Sequence, residues 1–270
     1  MTRRTSLASI GRCLIQAAPA ILVAFALVAV AGVARGDISP TIFSLTAAND
    51  AGSGSLAFDI SEGSWDPVSG QYTWSLGAPM DIVDDGDPGV VVASLDSATL
   101  TIETNPTPSI MLSVGTSAGD SNTNFYMDSA VVSFPTIPAP AAEGRFGATA
   151  QLWDTGFDGA YLVGLDGSGV GALQSYYNGA APGGTRFSHL IGAIVVGAGG
   201  SGNGSQNFPS TGYASIGTAL GDISVHGAYV ISAGDRATST MSFGIVPEPS
   251  MLLMVLIAGA ALPVRALRRR

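Results

Sequence analysis

The sequence predicts an all-β protein: an antiparallel β-sandwich with jelly-roll-like connections, flanked by an N-terminal signal-peptide helix and a C-terminal membrane helix. Three observations carry this. Between the two ends, short apolar or alternating runs are rich in Val, Ile, Thr and aromatics, which suit a pleated, half-buried surface. Gly, Asp, Asn, Ser and Pro break those runs at close intervals. No stretch of the middle sustains a 3.6-residue apolar period with helix caps.

Residues 90–93, 98–103, 110–114, 130–134, 147–153, 161–165, 190–196, 223–232 and 238–245 read as the better strands. Asp96-Ser97 predicts a hairpin turn between the first two, and Ala233-Gly234-Asp235 predicts another between the last two, because these residues tolerate turn geometry. The Pro-rich stretch 136–142 predicts a stiff linker, joining either two sandwiches or two sheets of one, and a single sandwich over 37–245 is the expectation. Residues 197–212, dominated by Gly, Ser and Asn, read as a long surface loop with too little apolar area to order itself.

The ends read as addresses. Arg3, Arg4 and Arg12 precede an uncharged apolar run over 14–33, and Ala34-Arg35-Gly36 supplies small residues at both positions a signal peptidase inspects. Residues 1–36 are therefore expected to be a secretory signal peptide, with an uncleaved anchor helix as the alternative. Cys13, the sole cysteine, lies within it, so the mature chain would hold no disulfide and no thiol nucleophile. Over 37–246 there are sixteen Asp and three Glu against three Arg, a net charge of −16, and there is no lysine anywhere. Such a surface repels phosphate backbones, which excludes nucleic acid as a partner.

The C-terminus has three parts in order: Val246-Pro247-Glu248-Pro249-Ser250, an apolar run over 251–264, and Arg265 with Arg268, Arg269 and Arg270. Prolines hold the first part extended and without ladder donors, as a protease cleft requires. The apolar run suits a bilayer, with a membrane helix expected over about 251–267 and the arginines retained on the cytoplasmic side. The uninterrupted run spans about 21 Å of helix at 1.5 Å per residue, short for the hydrocarbon core, and Pro263 falls in its last turn. This tail, 246–270, resembles the PEP-CTERM sorting domain of Gram-negative bacteria, which a membrane transpeptidase-like enzyme, exosortase, recognises. The resemblance implies that Pro247, Glu248 and Pro249 are the recognition residues and that Arg268, Arg269 and Arg270 form the stop and orientation signal. It implies an exosortase as partner, the membrane as at least a transient one, and surface or matrix localisation alongside exopolysaccharide. A permanent single-pass anchor is the alternative.

Elsewhere the chemistry-bearing motifs are sparse. Gly197, Gly199 and Gly202 match G-x-G-x-x-G, but Asn203, Gly204, Ser205 and Pro209 follow where a nucleotide site needs a helix. Gly115-Thr116-Ser117-Ala118-Gly119 matches the G-x-S-x-G elbow, again with no helix after it. His189 and His226 lie in apparent strands and read as structural or surface residues. Asp84, Asp85 and Asp87, and likewise Asp154 and Asp158, put carboxylates at close spacing on loops. Both Ca²⁺ ligation and ordinary solvated turns fit that pattern. Trp65, Tyr72, Trp74, Tyr176 and Tyr177 fit either a sugar-stacking platform or the core, with the core favoured. The functional expectation is a non-catalytic exported surface or extracellular-matrix protein, with a carbohydrate-binding, Ca²⁺-assisted module and a secreted hydrolase as the alternatives.

Overall fold

Nineteen strands and one 3₁₀ turn make up the regular structure of this computed structural model, which describes residues 37–104, 107–166 and 171–247. The expected signal peptide (1–36), Glu248, Pro249, the membrane helix (251–267) and Arg268 to Arg270 lie outside the described residues. Among the described residues no helix is long and apolar enough to cross a membrane.

The chain begins in a first sheet with β1 (Asp37–Ile38), β2 (Thr41–Asn49) and β3 (Gly52–Asp59). The 3₁₀ turn Ile60–Glu62, capped by Asp59, carries it to a second sheet for β4 (Ser64–Asp66), β5 (Gln71–Ser75), β6 (Met80–Val83), β7 (Val91–Glu103) and β8 (Ser109–Ala118). It returns for β9 (Thr123–Ser129) and β10 (Val132–Ile137). Thereafter β11 (Ala142–Trp153) lies in the second sheet, and β12 (Ala160–Gly164), β13 (Leu173–Tyr177), β14 (Thr185–Leu190) and β15 (Ile194–Val196) lie in the first. The last four strands are β16 (Ser201–Phe208) and β17 (Ala214–Ile216) in the second sheet, β18 (Leu220–Ile231) in the first and β19 (Arg236–Pro247) in the second. The first sheet has ten strands built around β18, and the second has nine in the principal order β16-β11-β19-β8-β7-β5-β4. Antiparallel pairing in two sheets over a shared core is the expected sandwich. The sheet-to-sheet alternation of a jelly roll is confined to the part of the chain after β10, because β2-β3, β4-β5 and β7-β8 pair with their sequence neighbours.

Period-two alternation builds the core. In β19, Ala237, Ser239, Met241, Phe243 and Ile245 are buried; facing them, β18 buries Ile223, Val225, Tyr229 and Ile231. Phe243 stacks on Phe187 at 5.1 Å and meets Phe146 edge-on at 6.2 Å, so side chains of both sheets interlock. Tyr229 carries its hydroxyl across the core to Thr116 Oγ1 at 3.2 Å, and complete burial raises its pKa. Each such ring contributes about 1.5–3 kcal/mol through burial alone.

Four expectations are corrected. Asp96-Ser97 is not a turn: β7 runs through it, with the extra residue absorbed as a register shift against β8. Asp96 is held there because its carboxylate accepts from Ser117 Oγ at 2.7 Å and pairs with Arg236 at 3.2 Å. Residues 233–235 do not close a hairpin, since β18 and β19 belong to different sheets; Gly234, at φ +71°, turns the chain across the sandwich. Residues 190–196 are not one strand, because Ile191 at φ +66° breaks them and donates its N–H to Gln206 Oε1 at 2.7 Å. Residues 197–212 are not a loop: 201–208 form β16, paired along its whole length with β11. Backbone pairing orders this strand where side-chain burial does not, and Gly202 lets it pass close over Ile194 and Val196, where a Cβ would come within 3.0 Å of each. The Pro-rich 136–142 stretch joins β10 to β11, and so connects the two sheets.

Candidate functional site

The outer face of the ten-stranded sheet carries both histidines of the chain, together with Asp128, Arg186, Tyr126 and Tyr176. Phe125 and Met127 of β9 point inward, so Tyr126 and Asp128 point out. Val225 and Tyr229 of β18 are likewise core residues, which turns His226 outward, and Leu173 of β13 leaves Gln174 and Tyr176 on the outer side. Register then aligns His189, Gln174, His226, Asp128 and Ser44 in one row across β14, β13, β18, β9 and β2. His226 Nδ1 lies 2.7 Å from Asp128 Oδ1, and His189 Nδ1 lies 2.9 Å from Asp166 Oδ2. Arg186 approaches the same Asp166 oxygen at 3.8 Å.

Gln174 is buried and fully engaged: its amide donates to the Gly171 carbonyl at 3.2 Å and its oxygen accepts from the Tyr176 hydroxyl at 2.6 Å. Tyr176 sets its ring edge-on to His226 at 6.3 Å, and burial pushes its hydroxyl pKa up despite the nearby Arg186 guanidinium. The exposed part of the row is different. Tyr126 is 41% exposed, its register neighbours are the small residues Ala228 and Thr46, and it precedes Asp128 by two positions on the same outward side of β9. An open ring next to fixed, paired hydrogen-bonding groups is the arrangement that takes the apolar face and the hydroxyls of a sugar. Each imidazole has its Nδ1 committed to a carboxylate.

The outer face of the nine-stranded sheet is of another kind. Ser75, Thr99, Ser113, Thr240, Thr149 and Ser205 stand in register across six strands, and Ser97, Gly115, Thr238, Gln151 and Asn203 form a neighbouring row. Thr240 Oγ1 donates to Ser113 Oγ at 2.9 Å. Ser117 of the G-x-S-x-G match sits within β8 with its hydroxyl committed to Asp96, not on a strand-to-helix turn. Gly197 to Gly200 form a turn that leads into β16, so no helix N-terminus faces a phosphate there.

The loop carboxylates separate into two cases. Asp84 Oδ1 accepts from Ser53 N at 2.8 Å and its Oδ2 from Asp87 N at 2.9 Å, while Asp87 accepts from Gly89 N at 3.0 Å. These are turn-forming contacts, and the chain does not gather Asp84, Asp85 and Asp87 into a three-carboxylate group. Asp154 and Asp158 are joined by Asp235, which the sequence reading did not include, with ligand atoms of all three within 4.8 Å of one another. Asp154 accepts from Phe157 N at 2.8 Å, Gly159 N at 2.9 Å and Gly199 N at 2.6 Å. Burial pushes its pKa up, but these backbone donors together outweigh burial and hold it below the ordinary 3.8. Asp235, fully buried, accepts from Thr155 N at 3.1 Å and from Ser232 Oγ. Three carboxylates suit a hard cation such as Ca²⁺, and the protein N–H and O–H donors to Asp154 and Asp235 already tie three turns together at this corner.

Of the five aromatics singled out from sequence, Tyr72 and Trp74 are core residues, Trp65 and Tyr177 pack against the core, and Tyr176 is 8% exposed. The rings that do face solvent, Tyr126, Phe157, Phe208 and Tyr213, were missed. Tyr126 was legible: Asn124, Tyr126 and Asp128 alternate with Phe125 and Met127. Pro247, the first residue of the sorting motif, pairs with Ala142 at the end of β19.

No protein family and no curated protein matches the chain. Solved structures that match it weakly include the K3 adhesin domain of Lys-gingipain from Porphyromonas gingivalis, at 8% identity over 50% of this chain and 74% of that one, TM-score 0.25. Another is the C-terminal CBM6 of the laminarinase LamC from Zobellia galactanivorans, at 15% identity over 48% of this chain and 78% of that one, TM-score 0.18. A third is a Clostridium thermocellum xylanase fragment of CBM22-1 and GH10 modules complexed with xylohexaose, at 10% identity over 69% of this chain, TM-score 0.24, of which the match spans only 26%. At such low TM-scores none of these likenesses bears on what this chain does.

Proposed function

We propose that this chain is a non-catalytic exported protein of the cell surface or its polysaccharide matrix, which holds polysaccharide on the outer face of its ten-stranded sheet. The observation that carries the reading is the exposed Tyr126 ring over small neighbours, beside the His226–Asp128 pair at 2.7 Å. A ring stacks on the apolar face of a pyranose, while the carboxylate and imidazole take its hydroxyls. Ectodomain acidity, −16 over residues 37–246, keeps copies apart in solution. Delivery follows from the tail: a signal peptide exports the chain, and Pro247, Glu248 and Pro249 present it to an exosortase while the C-terminal arginines hold the membrane segment in place.

The binding half is tested by affinity electrophoresis of the full-length protein in gels containing hydroxyethylcellulose or laminarin. Retardation that is lost in Tyr126→Ala and His226→Ala is the expected result; equal mobility of wild type and variants in every glycan gel would sink it. The delivery half is tested by the intact mass of the protein in membrane and extracellular fractions. An external form ending near residues 246–250 supports sorting, and full-length chain alone in the membrane makes it a single-pass anchor.

A further inference from the structure

The opposite face of the sandwich holds a concavity. Arg145, Gly147, Asn207, Tyr213, Ser242 and Gly244 line a depression of about 250 Å³ on the outer face of the nine-stranded sheet. Register explains its shape. Gly147 of β11 lies between Asn207 of β16 and Ser242 of β19, and Arg145 lies beside Gly244, so two central positions have no side chain and the polar groups stand around a glycine floor. A Cβ on Gly147 would come within 2.8 Å of Asn207 Oδ1, which shows how closely the amide leans over the gap. Tyr213, 46% exposed, supplies a ring at the wall.

The guanidinium is the unusual component. Between residues 37 and 246 only three arginines face nineteen carboxylates. Arg186 pairs with Asp166 and Arg236 with Asp96, but Arg145, exposed at the pocket, makes no ion pair among the described residues. Glu143 and Glu103 are the acids nearest to it in the sheet, two residues away along β11 and three strands away across β19, β8 and β7. We infer that this pocket binds a carboxylated sugar unit of an acidic polysaccharide. The carboxylate takes the planar fork of Arg145, the Tyr213 ring stacks on the sugar face, and Asn207 and Ser242 hydrogen-bond its hydroxyls. The volume admits one sugar ring, so the site reads a single charged residue of a chain and not an extended segment. This inference rests on the polysaccharide-binding reading but uses a different face, and the two fail separately.

The test is titration calorimetry of the full-length protein in detergent with oligogalacturonate, and with the same oligomer methyl-esterified, which keeps the sugar and removes the charge. Binding to the acid form should weaken roughly tenfold or more on esterification and on Arg145→Gln, the scale expected for losing a charge-assisted hydrogen bond. Tyr126→Ala should leave it unchanged, and the thermal transition of Arg145→Gln should match wild type. Equal affinity for acid and ester, equal affinity of Arg145→Gln and wild type, no binding of the acid form, or capture by phosphatidylglycerol vesicles in place of the sugar would each overturn the proposal. Loss of glycan retention in Tyr126→Ala with intact oligogalacturonate binding would leave both readings standing on their own faces.

Discussion

The two outer faces obey one rule and end in different chemistry. On both sheets, alternate residues feed the core and the intervening ones point to the outer face. Across the central strands of the nine-stranded sheet the outward positions are mainly Ser, Thr and Gly, with Met111, Glu143, Arg145 and Gln151 among them, and Thr240 bonds Ser113 along one row. On the ten-stranded sheet they are Asp128, His226, Gln174, Tyr176 and His189, each held by a named partner. Maintaining a fold requires only that outward residues be polar and fit the pleat. Pre-set hydrogen-bond pairs beside an exposed ring exceed that requirement, and this excess is what the proposed polysaccharide-binding role accounts for.

The comparison breaks most completely if the shared core is opened. Phe243 touches Phe146 of its own sheet and Phe187 of the other, so Phe243→Ala should cost about 3–5 kcal/mol in chemical denaturation and abolish binding on both faces together. Loss on one face only would show that the sheets do not depend on a common core. Next in size is Asp235→Ala, which strands the Thr155 N–H and the Ser232 hydroxyl and should cost about 1–3 kcal/mol, read as a lower unfolding midpoint with unchanged glycan retention.

Acid titration addresses the same corner without mutation. Because the folded-state pKa of Asp154 lies below the ordinary 3.8, its contribution is present above that pH and disappears as pH falls through the lowered value. Thermal melts should therefore show a loss below about pH 4 that is smaller in Asp154→Asn. A wild-type and variant pair with parallel profiles would assign the acid loss to other carboxylates.

Smaller effects separate the faces themselves. Tyr126→Ala, at an exposed position, should change stability by no more than about 0.5 kcal/mol while glycan affinity falls severalfold. Thr149→Val, in the middle of the hydroxyl row, keeps the β-branched shape and should change stability by less than about 0.5 kcal/mol, with no change in glycan retention. If Thr149→Val reduced retention as much as Tyr126→Ala, the hydroxyl rows would be the binding face and the contrast between the two sheets would reverse.

The sequence alone determined what depends on local pattern: an all-β chain, most of the long strands of its second half, the burial of Tyr72 and Trp74, and the failure of both glycine-rich motifs to lead into a helix. Alternation and turn chemistry are properties of a few consecutive residues, and they survive without knowledge of the partners. Sheet membership does not. Ala233-Gly234-Asp235 turns the chain whether β19 folds back beside β18 or crosses to the other sheet, and residues 201–208 become a strand only because β11 offers an edge. The row of paired side chains on the ten-stranded sheet has the same origin. His189, Gln174, His226 and Asp128 lie far apart in sequence, and it took four strands in one register to set them side by side. Asp235 reached Asp154 and Asp158, and Arg145 reached Tyr213 and Asn207, in the same way. Each of these sites is made of long-range neighbours, fixed by backbone pairing and core packing, and those are interactions that no stretch of sequence contains by itself.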